Sequence, residues 1–207
     1  MTTKSTQFKF PNPAPLGLAG FALTTWLLSM INVGWFTGDS IPMVLAVAFA
    51  FGGTAQMIAG AMEVPRGNTF GFTAFTAYGA FWWSFALFVG FFHDKVPAAF
   101  VGWYLALWGF FSFYMWLATF RSPRALQFVF LALWITFFLL AGKDLFGMSS
   151  LGVLGGYGGL LTAALAFYLS AAELINEVYQ HPVLPIGSPS VAQANGPSLN
   201  QAPAFSA

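Results

Sequence analysis

Charge is scarce in this chain: Asp, Glu, Lys and Arg make up 6% of its 207 residues, and the net charge is +1. Soluble domains carry about 25% charged residues, and a water-facing surface cannot be clothed with so few. An ordinary soluble domain is excluded, and one compact membrane domain is expected. The near-zero net charge supplies no basic field, so no nucleic-acid partner is expected. Cysteine is absent, which excludes disulfides and thiol chemistry. The histidines, His93 and His181, are isolated in an expected loop and tail. No metal-ligand spacing surrounds them, so neither metal nor cofactor is expected. No nucleophile–base motif or phosphate loop occurs, and the chain does not read as an enzyme. A signal peptide is not expected at its start, because the first apolar run is about twenty residues long without a clear small-residue cleavage site.

What is present is hydrophobic: 58% of the residues. Six apolar segments run roughly over 13–35, 42–63, 69–91, 97–119, 123–141 and 150–179. Each is about 19 residues or longer, enough to cross a hydrocarbon core as helix. The breaks "TGDSI", "VPRGN", "HDKV", "FRS" and "GKDLFGMS" carry turn and charge signals. The expected fold is an all-α integral membrane protein with six transmembrane helices, sequential helices lying antiparallel. Residues 1–12 form an N-terminal segment, 13–179 the membrane domain, and 180–207 a Pro-, Ser-, Ala- and Asn-rich tail that is expected to be mostly mobile. Lys4, Lys9, Arg66, Arg121 and Arg124 fall on the side of both termini, against Lys95 and Lys143 on the other. That bias predicts cytoplasmic termini.

The stretch "NPAPLGL" sets two prolines at the first helix. Asn12 suits an N-cap, while Pro13 and Pro15 occupy positions whose N–H groups would be orphans. Ala14 keeps its donor, and the Asn12 side chain can accept from it. Such a start strands few donors where water is scarce. With cytoplasmic termini, helices one, three and five begin on one face. Their positive ends, near Asn12, Asn68 and Ser122, would favour an anion there. No helix centre offers a cation, so a carboxylate path would rely on hydroxyls, amides, waters and helix ends, or take the neutral acid.

Two helices carry stripes. In the sixth, Gly155, Gly159, Thr162, Ala166, Ser170, Glu173 and Glu177 share a face, which reads either as close helix packing or as space beside a solute path. In the third, Thr69, Thr73, Thr76, Ala80 and Ser84 oppose Gly71, Phe75, Tyr78, Trp82 and Phe85. Polarity alone aims the threonines at a pore, unless they bond back to their own helix. Gln56 and Asn32 lie within helices and need partners; each either lines a path or ties helices together. Glu63 reads as a surface pair with Arg66. Glu173 reads as a proton relay, or as an acid paired with Arg66, Arg121 or Arg124 or simply solvated.

"NPAPLGL", "GNTFG" and "AYGAFW", with "ALQFVF" and "LPIG" further along, resemble the acetate uptake transporter family, the succinate–acetate permeases of bacteria, archaea and fungi. The resemblance covers roughly residues 12–187. It implies a six-helix protomer in a homo-hexamer in the cytoplasmic (inner) membrane, amid lipid, with a path for small monocarboxylates through each protomer. It also implies proton-coupled uptake of acetate and succinate. Matched residue by residue, it implies an aromatic–aliphatic constriction of Phe21, Tyr78 and Leu133, and a small position tied to substrate size at Ala166. The vestibule and substrate-binding positions are then Asn12, Pro13, Ala14, Asn68 and Thr69, with Glu63 and Glu173 as proton or charge sites. Without the resemblance the constriction residues would read as core or lipid-facing. Phe21, Tyr78 and Leu133 each lie about nine or ten residues into helices starting on one side. They should therefore meet about 14–15 Å deep. A second class has the same composition: a passive channel for small uncharged solutes such as acetic acid or urea.

Overall fold

In a computed structural model, residues 10–187 of the chain are described. Six apolar helical spans run through them: α1 Ala14–Asn32, α2 Gly38–Arg66, α3 Thr69–Lys95, α4 Ala98–Arg121, α5 Arg124–Phe146 and α6 Ser149–Tyr179. Among the described residues there is no strand. The protein is an all-α, six-span membrane protein.

The helix ends show where local chemistry and chain pattern part. At the start of α1 the Asn12 Oδ1 accepts the Ala14 N–H at 3.1 Å, and the Pro13 carbonyl takes the Gly17 N–H at 3.1 Å. At α3 the Asn68 side chain accepts from the Gly71 N–H at 3.0 Å. The α5 segment runs to Phe146 rather than to residue 141, carrying Lys143 and Asp144 on its last turns. Charges at a helix end reach interfacial water, so they need not break the helix. The stop comes from Gly147, whose φ of +67° is a conformation glycine adopts without strain.

The middle of α2 departs from a regular α-helix, which the hydrophobic pattern does not signal. Ala48–Ala55 winds as a π-helix, and the Thr54 hydroxyl donates to the Phe49 carbonyl at 2.8 Å. Side chains four apart drift by about 40° per step on an α-helix. The wider π turns offset that drift, so that Val44, Ala48, Gly52 and Gln56 are all buried.

Small residues bring the helices together. On α6, Gly155 lies against Leu140 of α5, Gly156 against Asn32 and Val33, and Gly159 against Ser29 of α1. Gly60 of α2 takes Thr76 of α3, and Gly79 of α3 takes Met57 of α2. Without a hydrophobic drive between helices in lipid, such close approach supplies the packing energy. The core it encloses is aromatic and aliphatic: Phe21, Tyr78, Phe81, Phe130, Leu133 and Phe137.

The segment from residue 180, expected to be mostly mobile, begins with an ordered stretch. Residues 183–187 are bonded to α5 and α6, and Ile186 packs on the core. Their backbone groups find partners on the helices, which a compositional reading does not register. Residues 188–207 of that tail, and residues 1–9, lie outside the described residues.

Candidate functional site

Three cavities follow one another through the bundle. The first, about 250 Å³, opens on the side of both described ends; its walls include Asn12, Phe21, Gln56, Glu63, Tyr78 and Leu133. A narrow pocket of about 40 Å³ follows, sharing Phe21 and Leu133 with the first and adding Ser29, Trp82 and Thr136. The third, about 360 Å³, shares Leu28, Asn32, Phe81, Phe137 and Leu140 with the narrow pocket and ends at His93, Lys143 and Asp144.

Phe21, Tyr78 and Leu133 stand on one wall system, all nearly buried. Phe21 and Tyr78 meet edge to face with ring centroids 5.8 Å apart. Tyr78 also meets Phe111 at 5.4 Å and Phe130 at 6.0 Å. Its hydroxyl lies 2.7 Å from the Ser112 Oγ, which donates to the Trp108 carbonyl at 2.8 Å. The ring is therefore held on both its face and its polar tip.

The polar groups gather at the open end of the first cavity. Asn12 works in two directions: Oδ1 holds the α1 start, and Nδ2 donates to Glu173 Oε2 at 3.0 Å. The partner of Glu173 is thus an amide, not Arg66, Arg121 or Arg124. Glu63, 1% exposed, sits 3.3 Å from Arg66 Nε without hydrogen-bond alignment. That pair is no surface pair, since its acid is buried; the guanidinium reaches out to the carbonyls of Phe10 and Pro11. Gln56 is 1% exposed, lines the cavity and leaves its Oε1 without a hydrogen bond. Its alternative role, tying helices together, is not what the side chain does.

Not every expected residue reaches these walls. Ala14 and Asn68 line the first cavity, whereas Pro13, Thr69 and Ala166 line none of the three. Thr69 is exposed at the start of α3, Pro13 is buried at the α1 start, and Ala166 is sealed within the aromatic core. On α3 the aromatic stripe faces inward: Gly71, Phe75 and Tyr78 line the first cavity, Trp82 the second and Phe85 the third. The threonine stripe does not; Thr76 packs on Gly60 instead. Nor does the α5 start offer a free positive end near Ser122, because the carbonyls of Ile186 and Gly187 take its first donors.

Several wall residues escape a reading by pattern. Leu126, Val129 and Phe130 precede Leu133 at helical spacing on α5, and all four line the first cavity. That spacing was the available signal. Ser112, the partner of Tyr78, had none in sequence.

The family model for the GPR1/FUN34/yaaH family matches residues 2–187. The succinate-acetate/proton symporter SatP of Escherichia coli K12 is 44% identical over 183 residues, covering 86% of this chain and 96% of that protein. Acetate permease A of Emericella nidulans is 38% identical over 202 residues, covering 86% of this chain and 66% of that protein. A solved structure described as the bacterial acetate channel SatP superposes with a TM-score of 0.83 at 43% identity, covering 86% of this chain and all of that one. These relatives carry transporter or channel names, and nothing among them points to catalysis. With a matching six-span fold and identity sustained over most of the chain, this protein belongs to the GPR1/FUN34/yaaH family.

Proposed function

We propose that this protein carries acetate, and with it succinate and other small carboxylates, across the inner membrane together with protons. The path runs through each protomer of a homo-hexamer, and both termini lie in the cytoplasm. The observation that carries the reading is the run of three cavities narrowed where Phe21 and Leu133 are shared. Polar groups stand at the open end of the first cavity, and the waist is apolar. A hydrated ion cannot shed its water at such a waist without a large penalty, while a small acid that takes a proton loses most of it. The names of the relatives, a succinate-acetate/proton symporter and an acetate permease, support the substrate class.

Uptake of labelled acetate into proteoliposomes tests the coupling. With an inward proton gradient, acetate is expected to accumulate above its equilibrium level. The matched solved structure is called an acetate channel, which favours a second reading: passive passage of acetic acid or another small uncharged solute. Faster equilibration without accumulation would establish that reading and remove the symporter.

Glu63 and Glu173 flank the open end. Acidic side chains at that entrance oppose an approaching carboxylate. Glu63→Gln and Glu173→Gln are each expected to lower the apparent KM for acetate, with the order of preferred acids kept. Acetate uptake measured over a range of acetate concentrations checks this. An unchanged KM in both variants would remove the acids from the path.

A further inference from the structure

The segment 183–187 is bonded at six of its nine backbone N–H and carbonyl groups. The Asn176 Oδ1 accepts the N–H groups of Val183 and Leu184 at 2.7 and 2.9 Å, and its Nδ2 donates to the Leu184 carbonyl at 2.9 Å. The Tyr168 hydroxyl donates to the Pro185 carbonyl at 2.6 Å. The next two carbonyls turn to α5: Ile186 accepts the Ala125 N–H at 3.0 Å, and Gly187 accepts the Arg124 N–H at 2.9 Å. Gly187 has a φ of +66°, and a Cβ there would lie 3.0 Å from the Arg124 Cβ. Conformation and space both call for glycine at that point.

The first turn of α5 is thereby closed. Pro123 has no donor, Arg124 and Ala125 are bonded to the segment, and Leu126 and Gln127 donate to the Pro123 carbonyl at 3.0 and 3.3 Å. A helix start normally offers orphan N–H groups and a partial positive charge to any nearby anion. Here that start borders the first cavity, since Pro123 and Leu126 are on its wall.

We propose that residues 183–187 act as a strap, clamped by Asn176, that caps α5 and withholds its amides from carboxylates at the mouth of the first cavity. Asn176 is a positioning residue: it touches the strap and not the solute. The role assigned to the mouth rests on the carboxylate transport proposed above. Without the strap, the freed amides would hold a carboxylate at the mouth, tightening its binding and slowing its release.

The chain lacks cysteine, so a single introduced thiol reports cleanly. With Leu126→Cys as reporter, Asn176→Ala is expected to speed labelling by a small methanethiosulfonate roughly tenfold, as the loss of three hydrogen bonds, two of them part-buried, implies. Asn176→Asp keeps both acceptor contacts but loses the donor and sets a carboxylate oxygen against the Leu184 carbonyl, so it is expected to return labelling only part of the way toward the wild-type rate. A second reporter, Leu18→Cys on the α1 wall of the same cavity, is expected not to respond. No rise at Leu126→Cys, or an equal rise at both reporters, overturns the strap. Should Asn176→Ala fail to fold, Tyr168→Phe removes only the Pro185 bond and is expected to give a smaller rise at Leu126→Cys; no rise overturns the strap equally. In acetate uptake, Asn176→Ala is expected to lower both the apparent KM and the maximum rate by about two- to fivefold, the scale of a helix-end charge. Faster labelling with wild-type KM and rate overturns the link between strap and path. If the unmodified protein carries no acetate, the transport reading fails, and the labelling still decides the strap.

Discussion

Leu133→Ala is expected to shift the size preference of uptake, raising lactate and succinate relative to acetate by roughly tenfold, the scale of hydrophobic-pocket discrimination by one or more methylenes. Leu133 is 4% exposed and is shared by the first cavity and the narrow pocket, as is Phe21. Truncating it removes the aliphatic side of the proposed waist. The space should persist, because the facing rings are held: Phe21 against Tyr78, and Tyr78 by Phe111, Phe130 and the Ser112 hydroxyl. Close-packed interiors relax only in part around a deleted side chain. Competition of unlabelled lactate and succinate against labelled acetate reads the ranking directly. An unchanged ranking with uptake intact would mean that the filter lies elsewhere.

Gly20→Val is expected to damage the fold severely. An ideal Cβ at Gly20 lies 2.6 Å from the Phe51 carbonyl oxygen, where α1 crosses the π-helical stretch of α2. The obstacle is backbone, which cannot rotate aside as a side chain could. Overpacking of this kind costs about 1–3 kcal/mol and sometimes more. The shift would also reach Phe21, the next residue along. Thermal unfolding of the detergent-purified protein should show a clear drop for Gly20→Val and a smaller one for Gly20→Ala. A variant as stable as the parent would show that α1 and α2 do not approach as described.

Much of the architecture was legible from composition. A chain with so little charge has to hide from water, and runs of this length cross a bilayer as helices. The Asn12 contact was legible too, because it is local: the Ala14 N–H and the Asn12 side chain are two residues apart, although the helix takes Pro13 and not Asn12 as its N-cap, one residue later than the sequence suggests. Segment ends were less so. Lys143 and Asp144 read as a break yet ride on α5, since a helix leaving the membrane can carry charge. The threonine stripe of α3 lines no cavity because it faces outward and toward α2: Thr69 and Ser84 are exposed, and Thr76 packs on Gly60.

Sequence alone determined that this is a six-span helical membrane protein without thiol chemistry, and its motifs pointed to its family. Only the tertiary structure decided which helix faces turn inward. In water, an apolar stripe marks the buried side of a helix. In lipid, the outside is as apolar as the core, so Phe100 and Trp103 on the exposed surface read the same as Phe81 and Trp82 within it. The polar contacts at the mouth were beyond local reasoning for a second reason. Asn12 meets Glu173 across 161 positions of sequence, and Gly187 meets Arg124 only because α6 returns the chain to the side on which α5 begins.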